Sequence, residues 1–209
     1  FAAPPVILRV DDSVIGTLGN FSASTGKAKS KKTFNVCAIV AAAMTGGTVL
    51  NYSASLPPER RRILYVDTEQ SRFHCKRVLC RILRLAGLPT DVHPPLLEFL
   101  CLRGYATKER LRKIEEAIYD LDDLGLVVID GIRDLAHDIN SPGEATDLIT
   151  KLMQWTDERR IHIHTVLHLN KGDDNTRGHL GTELNNKAET VLQITKDDFD
   201  RDISSVAAM

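Results

Sequence analysis

Short runs of β-branched and apolar residues alternate with longer helical stretches along most of this chain, and that alternation admits few folds. Arg62-Ile63-Leu64-Tyr65-Val66-Asp67, Leu97 to Leu102, Leu126-Val127-Val128-Ile129-Asp130 and Ile161 to Leu169 read as strands. Between them, Ser71 to Ala86 reads as a basic amphipathic helix ended by Gly87 and Pro89. Thr107 to Leu124 reads as a charged one and Asp147 to Arg159 as a third. Strand, helix and strand in succession make βαβ units, which build parallel sheets. The four apolar residues before Asp130 suit a strand covered on both faces. The expected class is therefore α/β, a twisted and mainly parallel sheet flanked by helices.

The two ends follow the same pattern. Leu18 to Ala23 reads as a first strand, followed by a loop of Gly, Ser and Lys and then an apolar helix from about Thr33 to Met44 that Gly46-Gly47 stops. Glu189 to Thr195 reads as a last strand. The irregular stretches Asn51 to Arg61, Gly131 to Gly143 and Asn170 to Lys187 are long for a compact α/β domain, and such loops tend to carry function.

With 209 residues, 43% of them hydrophobic, the chain can bury one sizeable core, so residues 1–209 are expected to form a single domain. A net charge of −1 excludes a uniformly basic nucleic-acid coat and an acidic tail, so any contact with DNA has to be local. Cys37, Cys75, Cys80 and Cys101 form no CxxC pair and sit in or beside apolar runs, as reduced, packed thiols of a cytosolic protein do. No run approaches the roughly 18–20 apolar residues of a membrane span. The opening Phe1-Ala2-Ala3-Pro4-Pro5 lacks a signal-peptide layout, so a cytoplasmic location is expected. The start on Phe rather than Met suggests a piece of a longer protein.

Gly26-Lys27-Ala28-Lys29-Ser30-Lys31-Lys32-Thr33, with Phe34 next to it, stands between an apolar strand and a helix, where a phosphate loop belongs. It fits G-x-x-x-x-G-K-[ST] at three of four fixed positions, with Lys31 in place of the second Gly. In such a loop, backbone N–H groups at the helix start wrap the phosphates. Lys32 would reach the β/γ oxygens and Thr33 would ligate Mg²⁺. The competing reading is a solvated lysine-rich turn. Against it, Lys27, Lys29, Lys31 and Lys32 would repel one another unless an anion such as a polyphosphate lay among them.

ATP hydrolysis also needs an acid for the Mg²⁺ shell and a group to position water, and in parallel sheets these belong at the carboxyl ends of strands. Asp130 and Glu69 both lie there, Asp130 as the metal-shell acid and Glu69 as the group that polarises water. His168, ending Thr165-Val166-Leu167-His168, suits a γ-phosphate sensor, and Arg177 or Lys171 beyond it suits contact with a neighbouring subunit's nucleotide. His162 and His164 alternate with His168, but no further ligand at metal spacing accompanies them. They read as buried, hydrogen-bonded histidines.

In this order, with Asp130-Gly-Ile-Arg-Asp-Leu135 and Arg177-Gly178, the motifs resemble those of the RecA-like ATPases, and among them the RepA-type hexameric replicative helicases of plasmids and mobile elements. The resemblance spans about Leu18 to Thr195. It implies nucleotide at the interfaces of a homo-oligomeric ring, with single-stranded DNA threaded through it. It also implies catalytic roles for Lys32, Glu69, His168 and an arginine finger Arg177, nucleotide contacts from Gly26 through Phe34, and Mg²⁺ held by Thr33 and Asp130. Lys31 departs from the family's Gly, which bears on turnover more than on fold. DNA contacts are expected from Asn170 to Lys187, or from the basic helix carrying Arg72, Lys76, Arg77, Arg81 and Arg84. A non-motor regulatory or recombinase-like ATPase of the same fold would show the same residues.

Overall fold

A computed structural model describes residues 1–169 and 178–209. The chain forms β1 (Val6–Val10), β2 (Ser13–Thr17), β3 (Phe21–Lys27), α1 (Lys32–Thr45), β4 (Thr48–Val49), β5 (Tyr52–Ala54), β6 (Arg62–Asp67), α2 (Arg72–Leu85), β7 (Leu97–Cys101) and α3 (Thr107–Asp120). β8 (Leu124–Asp130), α4 (Pro142–Arg159), β9 (His162–Leu169), α5 (Gly178–Lys187), β10 (Val191–Lys196) and β11 (Ser204–Ala208) complete it. One sheet runs β11-β10-β3-β9-β8-β6-β7, parallel throughout except for the β10–β11 hairpin. The other, β2-β1-β5-β4, is antiparallel.

The period of two along β6 and β8 divides the core. Ile63, Tyr65, Leu126 and Val128 face α1 and α2, whereas Leu64, Val66, Val127 and Ile129 face Ile114 and Ile118 of α3 and Leu148 and Trp155 of α4. α1 is buried continuously from Asn35 to Ala43, because the main sheet covers one side of it and the small sheet the other. A helix that is apolar all round is stable only in such a place. Each buried Val or Ile side chain there contributes about 1.5–3 kcal/mol.

The structure moves several expected boundaries. The central strand is not Leu18 to Ala23 but Phe21–Lys27, because Ser22, Ser24 and Thr25 are buried in mid-sheet although they are polar. α3 stops at Asp120, and α4 begins five residues before Asp147, where the Ser141 hydroxyl accepts from the Glu144 N–H at 3.3 Å. The stretch from Asn170 to Lys187 is not irregular throughout, since α5 occupies its second half, and Asn51 to Arg61 includes β5. The first two strands were not expected, although Val6-Ile7-Leu8-Arg9-Val10 and Val14-Ile15 flank an Asp11-Asp12 turn.

Candidate nucleotide-binding site

β3 runs into a turn at Ala28 to Lys31 and α1 starts at Lys32, so the loop is tied to the middle of the parallel sheet. Gly26 has to be glycine: a Cβ there would sit 2.3 Å from the Ile194 carbonyl oxygen and 2.7 Å from Ser30 Oγ. Lys31 caps α1 in the left-handed region at φ 66°, the conformation that the glycine of the motif normally supplies. A non-glycine residue pays about 1–2 kcal/mol for it, yet the turn keeps its shape. The Lys31 carbonyl accepts from the Asn35 backbone N–H at 3.1 Å and from Asn35 Nδ2 at 3.0 Å. Its ammonium lies 3.8 Å from Asp202.

Lys32 is 2% exposed, and its ammonium donates to the carbonyls of Gly26 (2.7 Å) and Lys27 (2.5 Å) and to Ser30 Oγ (3.2 Å). Burial pulls its pKa down to about 8, against the attraction of Asp130 and Glu69. Thr33 Oγ1 donates to Asp130 Oδ2 at 2.9 Å, across 97 residues of chain. Tyr65 Oη donates to the same oxygen at 3.0 Å, and its ring stacks on Phe99 with centroids 4.7 Å apart. Two hydroxyls thus fix the carboxylate of Asp130, which is 4% exposed.

His168 completes the cluster. Its Nε2 lies 3.5 Å from Asp130 Oδ1 and 3.7 Å from Glu69 Oε2. Burial raises the Glu69 carboxyl above its usual range, with the nearby His168 opposing the shift. Asp67 shapes the turn that presents Glu69: its Oδ1 accepts from the backbone N–H groups of Glu69 (3.0 Å) and Gln70 (2.8 Å). Thr68 joins the ends of β6 and β8, because its hydroxyl donates to the Gly131 carbonyl at 2.8 Å. A Cβ on Gly131 would lie 2.9 Å from Glu69 Oε1 and 3.2 Å from His168 Cδ2, so glycine leaves room for the acid and the imidazole.

Lys32, Thr33, Glu69, Asp130 and His168 therefore converge, as the sequence suggested. Lys29 to Asn35, Phe34 among them, line a cleft of about 920 Å³ that also reaches His168, Arg81, Asn51 and Ile203. Glu69 opens instead onto an adjoining cleft of about 640 Å³ with Arg133 and Asp134. Gly26 and Lys27 belong to β3 rather than to the turn, and Ala28 lies outside the cleft wall. Asn170, Lys171 and Arg177 lie outside the described residues. Sequence reasoning missed Tyr65, Thr68 and Gly131. The one phenol in the otherwise aliphatic stretch before Asp67 was the available signal.

The residues fit a magnesium-bound polyphosphate. The turn that Gly26 keeps open lies at a helix N-terminus beside a lysine ammonium, a hydroxyl and a buried acid. Among the described residues no cluster of three or more His, Cys, Asp or Glu is placed to hold a metal. Mg²⁺ binds through one or two protein groups together with substrate phosphates and water, and Thr33 and Asp130 are the groups that could hold it here.

At the opposite end of β9, His162 Nδ1 bonds the Thr17 carbonyl at 2.8 Å and so carries the proton. Its Nε2 accepts from Ser22 Oγ at 2.7 Å, which leaves that oxygen to accept from His164 Nδ1, also at 2.7 Å. His164 Nε2 then accepts from Ser24 Oγ at 2.7 Å. The chain is satisfied with both rings neutral, and burial pulls His162 below its ordinary pKa and His164 down to about 3. These are the buried, hydrogen-bonded histidines that the sequence indicated.

Sheet order, phosphate loop and acidic strand ends together define a nucleotide-binding ATPase domain with the RecA-like fold. The chain belongs to the AAA domain family, whose model matches residues 7–174. A crystal structure of the RadB recombinase is similar, with a TM-score of 0.57 and 17% identity over 87% of this chain and 76% of that one. The likeness is one of fold and does not single out the replicative helicases. No curated protein matches the chain in sequence.

Proposed function

We propose that this domain binds and hydrolyses ATP with Mg²⁺ as one subunit of a homo-oligomeric ring, a hexamer, that moves on single-stranded DNA as a replication helicase of a mobile element. The observation that carries the catalytic part is the convergence of Thr33, Asp130, His168 and Glu69 beside the buried Lys32 ammonium. Bound magnesium would neutralise phosphate charge and favour attack at phosphorus. Lys32 would exchange its loop carbonyls for phosphate oxygens, and Thr33 and Asp130 would hold the metal shell. Glu69, with its raised pKa, takes the proton of the attacking water at its carboxylate. His168, between the two acids, senses the γ-phosphate, and Arg177 serves the neighbouring subunit's nucleotide.

A second reading is a regulatory or recombinase-like ATPase without motor activity. The strained Lys31 cap and the fold shared with the RadB recombinase favour it. One experiment addresses both: phosphate release by the wild type and by Lys32→Ala, with and without single-stranded DNA, alongside strand separation of a forked duplex. The motor reading expects DNA-stimulated release and strand separation, both lost in Lys32→Ala. Release without strand separation selects the second reading. Undiminished release by the variant overturns the site.

A further inference from the structure

α2 differs in charge from every other helix of the domain. Its 14 residues hold Arg72, Lys76, Arg77, Arg81 and Arg84 and no acid. Among the described residues, none of these five cations is in an ion pair. Cys75, Val78, Ile82 and Leu83 bury the inner face, and Phe73 stands 69% exposed on the outer one. Phe73, Lys76, Arg77, Cys80, Arg84 and Leu85 line a groove of about 470 Å³. Arg81 borders both this groove and the nucleotide cleft, with its guanidinium 5.8 Å from the centre of the Phe34 ring, one residue beyond Thr33.

A merely solvated helix face mixes charges, as α3 does with Arg112 paired to Glu116. Cations without an ion pair among the described residues, beside an exposed ring that His74 meets only edge-on at 5.4 Å, leave two surfaces open, one for anions and one for a flat stacking partner. A single strand of nucleic acid meets both, with phosphates for the cations and a base for the ring. A duplex keeps its base faces stacked and leaves Phe73 without a partner.

We infer that the outer face of α2 is a binding groove for single-stranded DNA, with Lys76, Arg77 and Arg84 on the phosphates and a base stacked on Phe73. The assignment rests on the DNA part of the reading above and is independent of ATP turnover. A strand held there lies against Arg81, and through it against Phe34, so binding is felt at the nucleotide loop.

Fluorescence anisotropy of a labelled oligothymidylate with the full chain, without nucleotide, tests this. Charge reversal of Lys76, Arg77 and Arg84 to Glu is expected to weaken binding at least about tenfold and to flatten the log–log salt dependence by about 2, at about 0.7 per phosphate contact. Phe73→Ala is expected to weaken it about tenfold. All four positions are exposed, so unfolding midpoints and DNA-free phosphate release should match the wild type, while DNA stimulation is lost. Wild-type binding that survives both variants overturns the α2 groove alone. Failure of the wild type to bind overturns the DNA reading as well. Tighter binding of oligouridylate, or equal binding of duplex, overturns single-stranded DNA as the occupant.

Discussion

The two ends of β9 use the same residue type in opposite ways. At the amino end, His162 and His164 are buried, neutral and closed into a hydrogen-bond chain that ends on a carbonyl of the small sheet. At the carboxyl end, His168 is partly exposed and its imidazole stands 3.5 Å from Asp130 and 3.7 Å from Glu69. One strand thus separates histidines that hold the domain together from the one we propose acts on the nucleotide. Parallel sheets impose this division, since all their strands open their carboxyl ends on one side.

Truncating the buried histidine should break that division most visibly. His164→Ala leaves the Ser24 hydroxyl unpartnered and takes one of the two partners of Ser22 away around a cavity, and urea unfolding should show a loss of about 3–5 kcal/mol. Phosphate release per folded molecule should stay close to wild type. His168→Ala should do the reverse, with turnover down about 10- to 100-fold and stability within about 0.5 kcal/mol, as read by parallel kinetic and melting assays.

Titration sharpens the contrast. The folded-state pKa of His164 is about 3, below its unfolded value, so the unfolded chain binds the extra proton. Its contribution is fully present above about pH 6.5 and falls by about 1.4 kcal/mol per pH unit below that, with His162 acting in the same direction. The Asp67 and Glu69 carboxyls, raised by burial, act in the opposite sense. Urea unfolding of the wild type and of His164→Ala between about pH 6.5 and 5 therefore isolates His164 as the difference between them, and the destabilisation on acidification should be smaller in His164→Ala. The smallest effect belongs to Lys31→Gly. Relief of the left-handed strain, less the entropy that glycine gains in the unfolded chain, should stabilise by about 0.5 kcal/mol, with phosphate release at least as fast as wild type.

The parts legible in the sequence were those whose signal is local. Leu126 to Asp130 marks itself as a doubly covered strand with an acid at its end, and the order of loop, Glu69, Asp130 and His168 follows from the βαβ pattern. Register is not local. The Thr33 hydroxyl meets Asp130 because β3 and β8 both flank β9, a fact of strand order that no short window contains. Ser24 and Thr25 hid the last part of β3, since serines that satisfy buried histidines look like loop residues until their partners are known. Ser141 and Glu144 did carry a capping signal for α4, at the S-x-x-E spacing, that hydrophobic periodicity alone passes over.

Measuring ATP binding and phosphate release together for Glu69→Gln tests the site most directly. The geometry expects the variant to bind Mg²⁺-ATP as the wild type does, because Lys32, Thr33 and Asp130 are intact, and to release phosphate at least about a hundredfold more slowly. Wild-type release by that variant would contradict the assignment of the attacking water to Glu69.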